Sequence, residues 1–238
     1  FKEVSKESPQ KVIGYLDSLE SRLGDASSNT RNFATFVFSE VSEGSPQKVT
    51  RYLDSIEPRL DDESENTRNL ATSVFREVSK KEPQQVSRYL DSLTSLFDDP
   101  NNSTRIFAIT SVLNVAQSHS DLVTEYLPSV ARLLGGTDGT VKSKASSCLA
   151  HVATEDPESL ASLLRAPESD EFDEETRQQI AAILEDTVSD RGEQNGANAD
   201  ERENRRPQSI PDAPDVDISL DTITEEQQIG QGGNADVI

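Results

Sequence analysis

The chain has 238 residues, of which only 33% are hydrophobic and 5% aromatic, so a single thick globular core is not expected. Its 44 acidic residues outnumber its 23 Lys and Arg residues, which gives a net charge of −21. A charge of that sign repels the phosphates of nucleic acids and anionic lipid headgroups, and no basic patch in the sequence compensates for it. We therefore expect neither nucleic acid nor a membrane among the partners.

The cysteine, histidine and apolar residues exclude further classes of protein. Cys148 is the only cysteine, so an intramolecular disulfide is excluded, and we interpret it as an inert, small hydrophobic residue of a helix. His119 and His151 lack the spacing of paired metal ligands, and neither a metal site nor a catalytic residue is predicted. No apolar run approaches the ~20 residues of a membrane span and no signal peptide is evident, which favours a cytoplasmic protein.

The acidic composition has two interpretations. It resembles that of proteins from salt-adapted, halophilic microbes. The alternative is that the charge only keeps an ordinary cytosolic protein soluble, because net charge bears on solubility rather than on fold.

A sequence repeat with a period of 37 residues dominates the chain. Phe1, Phe38 and Phe75 begin the nearly identical runs FKEVSKESPQKV, FSEVSEGSPQKV and FREVSKKEPQQV. The period persists where identity fades, as in the tyrosine column of Tyr15, Tyr52, Tyr89 and Tyr126. A fixed period of this length indicates a repeat architecture. Because the chain opens part-way through a unit and contains no Met, we expect it to be a fragment.

Apolar residues fall at helical spacing in two stretches of each unit, here named helix A and helix B. In the first unit Leu16 and Leu19 lie on one face of helix A, and Val37 and Val41 on one face of helix B. Neither helix can bury its apolar face alone, so consecutive units must stack. The predicted A and B helices span 9–23 and 29–43, 46–60 and 66–80, 83–97 and 103–118, 121–134 and 140–154, and 157–166 and 173–188.

An acidic and a basic column accompany the turn between helix A and helix B. Asp lies six residues before Arg in three consecutive units, and the pairs are Asp25 and Arg31, Asp62 and Arg68, and Asp99 and Arg105. Lys142 and Arg177 continue the basic column, although Gly136 and Glu171 stand at the acidic offset.

These columns resemble those of HEAT/armadillo-type helical repeat proteins, over residues 1–188. The resemblance implies an all-α fold, a right-handed superhelical α-α solenoid, in which the paired side chains form a ladder of charge-assisted hydrogen bonds across stacked units. The alternative is that the Arg column is a clamp for the phosphates or carboxylates of an extended anionic ligand.

The outward positions of helix B are predicted to bind a protein partner, on the concave surface of a monomeric solenoid. In the third unit Ile106, Ile109 and Leu113 replace polar residues and, with Thr110, form the predicted protein-binding site. The alternative is that this unit is rotated slightly and buries them. The predicted outward positions are Asn32, Thr35, Phe36, Ser39, Asn69, Thr72, Ser73, Arg76, Ile106, Ile109, Thr110, Leu113, Ser143, Ser146, Ser147 and His151.

The C-terminal part departs from the repeat. Residues 189–216 are rich in polar residues, Gly and Pro, and are predicted to be a disordered, acidic linker. Residues 217–238 contain a short, polar, strand-like stretch that ends at Ile229 and leads into a glycine-rich run.

The glycine-rich run has Gly230, Gly232, Gly233 and Val237. It resembles the loop that opens a protein kinase domain, with Ala235 in place of the third glycine. The resemblance implies that this loop binds ATP, with Mg²⁺, if the remainder of a kinase domain follows; the solenoid itself is predicted to need no cofactor. A dinucleotide-binding turn is disfavoured because its strand is normally apolar, and a glycine-rich end without a role is the remaining alternative.

Two functions follow from these expectations. The first is a protein-interaction scaffold that forms the N-terminal regulatory or recruitment region of a larger serine/threonine-type protein kinase. The second is a stand-alone HEAT-repeat adaptor with no linked enzyme.

Overall fold

A computed structural model of the protein describes residues 12–166 and 172–203. Within these ranges the regular elements are α-helices and short 3-10 helices, and none is a strand. They form five successive pairs of a helix A region and a helix B. Among the first four units each B helix packs against the B helix of the next unit, so these units are stacked in sequence order. The alternation of A and B helices is as the sequence predicted.

The B helices are the long elements of the structure. Each of the first four begins within one residue of its predicted start, and those of the second to fourth units begin after a side chain that caps a backbone N–H. The α-helices are α1 (Leu16–Leu23), α2 (Ser28–Gly44), α3 (Pro46–Val49), α4 (Leu53–Ile56), α5 (Glu65–Ser79), α6 (Pro83–Val86), α7 (Leu90–Thr94), α8 (Asn102–Ala116), α9 (Leu127–Arg132), α10 (Gly139–Glu155), α11 (Pro157–Arg165) and α12 (Glu174–Glu203). The B helices are α2, α5, α8, α10 and α12.

The A regions of the second to fourth units differ from the prediction, because none is a continuous α-helix. In the second unit a 3-10 helix over Thr50–Tyr52 separates α3 from α4. The Thr50 hydroxyl donates to the Pro46 carbonyl at 3.3 Å, and the Ser87 hydroxyl at the equivalent place donates to the Gln84 carbonyl at 2.8 Å. These bonds do not cause the break, because the same 3-10 segment is present over Ile13–Tyr15 of the first unit, where Ile13 has no hydroxyl.

The core is a continuous layer of side chains between the helices. Ala34, Ala71, Ala108 and Ala145 of the B helices are completely buried, and their small size permits close helix approach. Aromatic pairs join helix B of one unit to the A region of the next: the ring centroids of Phe38 and Tyr52 are 5.1 Å apart, in an edge-to-face arrangement. The same pairing recurs 37 residues later between Phe75 and Tyr89, at 5.0 Å.

The last helix is longer than expected. We predicted its end near residue 188 and a disordered linker from residue 189, whereas α12 continues to Glu203. Residues 189–203 contain no proline, which permits the helix to continue, and the disordered linker stays a prediction. The rest of the predicted linker and the kinase-like segment over 217–238 lie outside the described residues.

Candidate protein interface

The Arg column forms a ladder between units. Arg31 donates from Nε to Oδ2 of Asp62 at 2.6 Å and from Nη2 to Oδ1 at 3.1 Å, while its Nη1 donates to the carbonyl of Asp25 at 3.0 Å. Arg68 repeats this pattern, with Nε to Oδ2 of Asp99 at 2.6 Å and Nη1 to the carbonyl of Asp62 at 2.9 Å. The predicted ladder across stacked units is therefore present in the structure.

The pairing within the ladder differs in detail from the expectation. The Asp six residues before each Arg offers its backbone carbonyl, and the carboxylate that neutralises the Arg comes from the following unit. Each of these arginine side chains therefore links the turn of its own unit to the following unit. Because Arg31 and Arg68 are engaged in this way, the alternative of an extended anion clamp is not favoured at these two positions.

Asp62 is the most connected carboxylate of the ladder. Burial alone would raise its pKa, but hydrogen bonds from Arg31 and from the Ser64 N–H, with the charge of Arg59, outweigh burial and lower the pKa below its ordinary value. The Ser64 N–H donates to Oδ1 at 3.0 Å, and Arg59 Nη1 donates to Oδ2 at 2.9 Å. Asp62 is therefore ionised in the folded protein and bonded to three segments of the polypeptide.

The tyrosine column forms a second ladder. The rings of Tyr52 and Tyr89 are buried, and each hydroxyl donates at 2.6 Å to an Asp of the preceding unit, Asp17 and Asp54 respectively. Burial, followed by the hydrogen bond to Asp54, raises the pKa of Tyr89 to about 12. These hydrogen bonds explain why Tyr and Asp each recur with the period, and no bound ligand is needed to account for them.

The predicted protein-binding site in the third unit is wrong in its main premise. Ile109 is 0% exposed and Leu113 is 8% exposed, whereas Ile106 is half-buried against the core. Thr110 is half-buried and its hydroxyl donates to the Ile106 carbonyl at 2.6 Å. Burial, the alternative, is therefore correct for Ile109 and Leu113, whereas Ile106 and Thr110 remain partly accessible.

Stacking of the B helices explains the error. Of the outward positions predicted for each B helix, the second is buried in the first three units, at Thr35, Thr72 and Ile109. The fourth is buried in the first and third units, at Ser39 and Leu113. A helix in a solenoid is covered by its own A region and by both neighbouring B helices, so its accessible face is narrower than that of a surface helix.

A narrower surface remains on the B helices, and we name it the helix-B stripe. Its positions recur at 4-residue steps along each helix and at 37-residue steps between units. Glu40, Glu77 and Asn114 belong to it and were missed in the sequence analysis, although they lie four residues beyond predicted outward positions. The stripe comprises Asn32, Phe36, Glu40, Asn69, Glu77, Ile106, Thr110, Asn114, Ser143, Ser147 and His151, all of them exposed or half-buried.

Contacts between side chains of neighbouring B helices support the stripe. The Asn32 amide donates to the Thr67 hydroxyl at 3.4 Å, and Asn69 repeats this bond to Thr104 at the same distance. The guanidinium of Arg76 lies 3.9 Å from the ring centroid of Phe107, a cation–π contact between α5 and α8. The B helices of the first three units are therefore joined to one another by side-chain contacts along the stripe.

Other predicted sites are only partly covered by the structure. Gly230, Gly232, Gly233 and Val237 lie outside the described residues. Among the residues that are described, no cluster of His, Cys, Asp and Glu could hold a metal ion, and no helix is long and apolar enough to cross a membrane. Cys148 is buried, as predicted.

Comparison with known proteins gives the fold. No family model matches the chain, and no curated protein matches it. A computationally designed armadillo repeat protein for modular peptide recognition matches with a TM-score of 0.64 and 21% identity, over 77% of this chain and 89% of that one. The fold is an armadillo-type, right-handed superhelical solenoid. This confirms the predicted fold class.

Two further solved structures agree with this assignment. A designed armadillo repeat protein in complex with the peptide (KR)4 matches with a TM-score of 0.59 and 22% identity, over 76% of this chain and 85% of that chain. An engineered protein matches with a TM-score of 0.62 and 13% identity, over 79% of this chain and 52% of the other. At these identities the likeness concerns the fold alone.

Proposed function

We propose that this protein is an interaction scaffold that binds an extended polypeptide along the helix-B stripe. One observation carries the proposal: the Arg column of the first three units and the buried Ala column repeat with the 37-residue period, whereas the stripe changes its chemistry in the third and fourth units. At one column of the stripe the residue is Asn32, Asn69, Ile106 and then Ser143. A constant scaffold with a variable accessible surface is the arrangement expected when selection acts on binding.

The charge of the protein favours a basic partner. Its net charge is −21. On the stripe the carboxylate of Glu77 is paired with Arg76 and Lys80, so the attraction comes from the charge of the whole protein. Such a field accelerates the approach of basic peptides and opposes nucleic acids. The designed armadillo protein that shares this fold was solved with (KR)4, a basic peptide. We therefore propose a basic, extended segment of a protein as the ligand, bound by a monomeric solenoid.

The test is a fluorescence anisotropy titration of the 238-residue protein with a labelled, C-terminally amidated (KR)4 peptide, with an amidated (GS)4 peptide as the negative control. Ser143→Lys combined with Ser147→Lys places two positive charges on the stripe, at exposed positions. Ser18→Lys combined with Ser95→Lys changes the net charge equally at exposed positions of the A regions. We expect the first pair to weaken binding at least ~10-fold and the second to have a small effect.

Two results would contradict this proposal. Equal weakening by both pairs of substitutions would mean that only the overall charge attracts the peptide. Absence of saturable binding to the unmodified protein would show that a basic peptide is not its ligand.

A finer version of the function links the scaffold to a protein kinase. Its support is the spacing of Gly230, Gly232 and Val237, with Ile229 at the end of the preceding strand-like stretch. In that version the solenoid raises the local concentration of a substrate or regulator near the catalytic domain. The coding sequence after Ile238 tests it: a V-A-x-K-like strand within about 60 residues supports the kinase, and a stop codon leaves the stand-alone adaptor.

A further inference from the structure

The Arg–Asp ladder changes at the boundary between the third and fourth units. Gly136 stands where the two preceding units have Asp62 and Asp99. The backbone there is the same turn: the Gly136 N–H donates to the Leu133 carbonyl at 3.2 Å, as the Asp99 N–H donates to the Leu96 carbonyl at 3.1 Å. Gly136 has φ −69° and ψ 170°, close to the φ −59° and ψ 136° of Asp99. The turn is therefore retained without its carboxylate.

Arg105 keeps its position on the other side of this boundary. Its Nη1 donates to the carbonyls of Asp99 at 2.6 Å and Pro100 at 3.3 Å, as in the preceding units, and its Nη2 donates to Oδ1 of Asn102 at 3.0 Å. In Arg31 and Arg68 the edge of the guanidinium formed by Nε and Nη2 faces the Asp of the next unit. For Arg105 the residue at that place is Gly136, which has no side chain.

A cleft of about 370 Å³ lies at this place, and Arg105 and Gly136 are both in its wall. Arg132, which already has a partner within the protein, also lines the cleft, and Phe97 and Val141 contribute apolar surface. The cleft adjoins another of about 300 Å³ with which it shares Phe97, Asp98, Arg132 and Leu133. Together they have the size of a site for one or two amino-acid residues of a ligand.

We propose that this cleft, named the Gly136 cleft, binds a carboxylate of a partner polypeptide, which takes the place of the ladder Asp that Gly136 lacks. The carboxylate can belong to an acidic residue or to the C-terminus of the partner. The site is separate from the helix-B stripe, because it lies at the turns between A and B helices, and it does not depend on the basic ligand proposed for the stripe.

The acidic residues in the wall of the cleft favour a carboxylate over a phosphate as the ligand. Asp98 and Asp138 also line it, so a dianionic phosphate meets more repulsion than a carboxylate with a single charge. The carboxylate of Asp138 caps the N-terminus of α10, where the Val141 N–H donates to its Oδ1 at 2.8 Å. That hydrogen bond is the main cause of the lowered pKa of Asp138, to which the charge of Arg105 also contributes.

The test uses the Arg105 Nε–H resonance of the 238-residue protein, observed by NMR and assigned with Arg105→Lys. The probes are N-acetyl-aspartate N-methylamide for the carboxylate of an acidic residue, N-acetyl-glycine for a C-terminal one, and inorganic phosphate. We expect a saturable shift with at least one carboxylate, and the probe that binds more tightly identifies the source. No saturable shift with either, or tighter binding of phosphate, would overturn the proposal.

Substitutions at position 136 give the matched variants. Gly136→Asp supplies the missing carboxylate from the protein itself, so its Arg105 resonance should resemble that of the probe-bound protein and should not respond to the probe. Its Tm should rise by roughly 2–4 °C, because one more rung joins two units. A Cβ at this position meets the Leu133 carbonyl at 3.2 Å, so Gly136→Ala controls for backbone adjustment and should keep the probe response.

Arg105→Lys keeps the site testable if Gly136→Asp folds poorly. Lys142 occupies the same column in the next unit, so a lysine is compatible with the turn. A lysine cannot form the two parallel hydrogen bonds of an arginine, so we expect carboxylate binding, followed at the Gly136 amide, to weaken roughly 10-fold. An unchanged affinity in Arg105→Lys, or a full probe response in Gly136→Asp, would show that the carboxylate binds elsewhere.

Discussion

Arg31 and Asp62 join two consecutive units through a pair of hydrogen bonds, with Nε to Oδ2 at 2.6 Å and Nη2 to Oδ1 at 3.1 Å. Their side chains are 13% and 1% exposed, so water screens the pair only weakly. A solenoid has no contacts between units that are distant in sequence, and its stability is the sum of such boundaries between neighbours. The hydrogen bonds of the ladder therefore hold neighbouring units, and with them the helix-B stripe, in a fixed arrangement.

Asp62→Ala should lower the free energy of unfolding by about 3 kcal/mol, because it leaves the charges of Arg31 and Arg59 partly buried without their carboxylate. The measurement is urea denaturation followed by far-UV circular dichroism. The matched control is Asp61→Ala at the neighbouring exposed position, which should change stability by less than about 0.5 kcal/mol. Similar losses in both variants would show that the ladder contributes no more than an ordinary surface charge.

The pH dependence of stability follows from the lowered pKa of Asp62. An unfolded Asp takes up a proton near pH ~3.9, and the folded one does so at lower pH, so the unfolded state binds more protons between these values. The contribution of Asp62 is therefore complete above the unfolded pKa and is lost as the pH falls through the folded pKa. Urea midpoints from about pH 3 to about pH 7 should converge for wild type and Asp62→Ala at the acidic end. A constant difference across this range would contradict the assignment.

Cys148 should report unfolding through its thiol. Burial raises its pKa to about 12, so almost no thiolate forms in the native state and no reagent reaches it. We expect no reaction with a disulfide reagent such as DTNB in native buffer, and complete reaction across the urea transition. Ser143→Cys adds a thiol at an exposed position and should react at once with one equivalent. Rapid labelling of the wild-type protein would mean that α10 opens without global unfolding.

Ile109→Asp should prevent stable folding or cause aggregation, because it places a carboxylate in a completely buried position without a partner. The readout is the soluble yield and the circular dichroism of the purified protein. Ser147→Asp introduces the same charge at an exposed position of the next B helix and should leave both unchanged. A folded, soluble Ile109→Asp variant would mean that this residue is accessible after all.

Much of the fold could be predicted from the sequence, because a repeat gives the same local information several times. The proline-led starts of α3 and α6 and the helix-B starts of α5 and α8 were predicted to within one residue, since caps and apolar spacing are local properties. The breaks in the A regions were missed. The 3-10 segment of the second unit ends at Tyr52, whose hydroxyl bonds Asp17 of the preceding unit, and contacts between units cannot be read from the local sequence.

The sequence by itself determined the repeat and the all-α class, because helical periodicity can be read along one polypeptide, and the likeness of its charged columns to those of HEAT/armadillo-type repeats implied the ladder. Only the tertiary structure decided which Asp each Arg meets, which positions of helix B remain accessible, and that a cleft adjoins Gly136. These properties depend on how far one unit is rotated relative to the next. That rotation arises from packing between units, and a residue such as Ile109 is exposed or buried only once it is known.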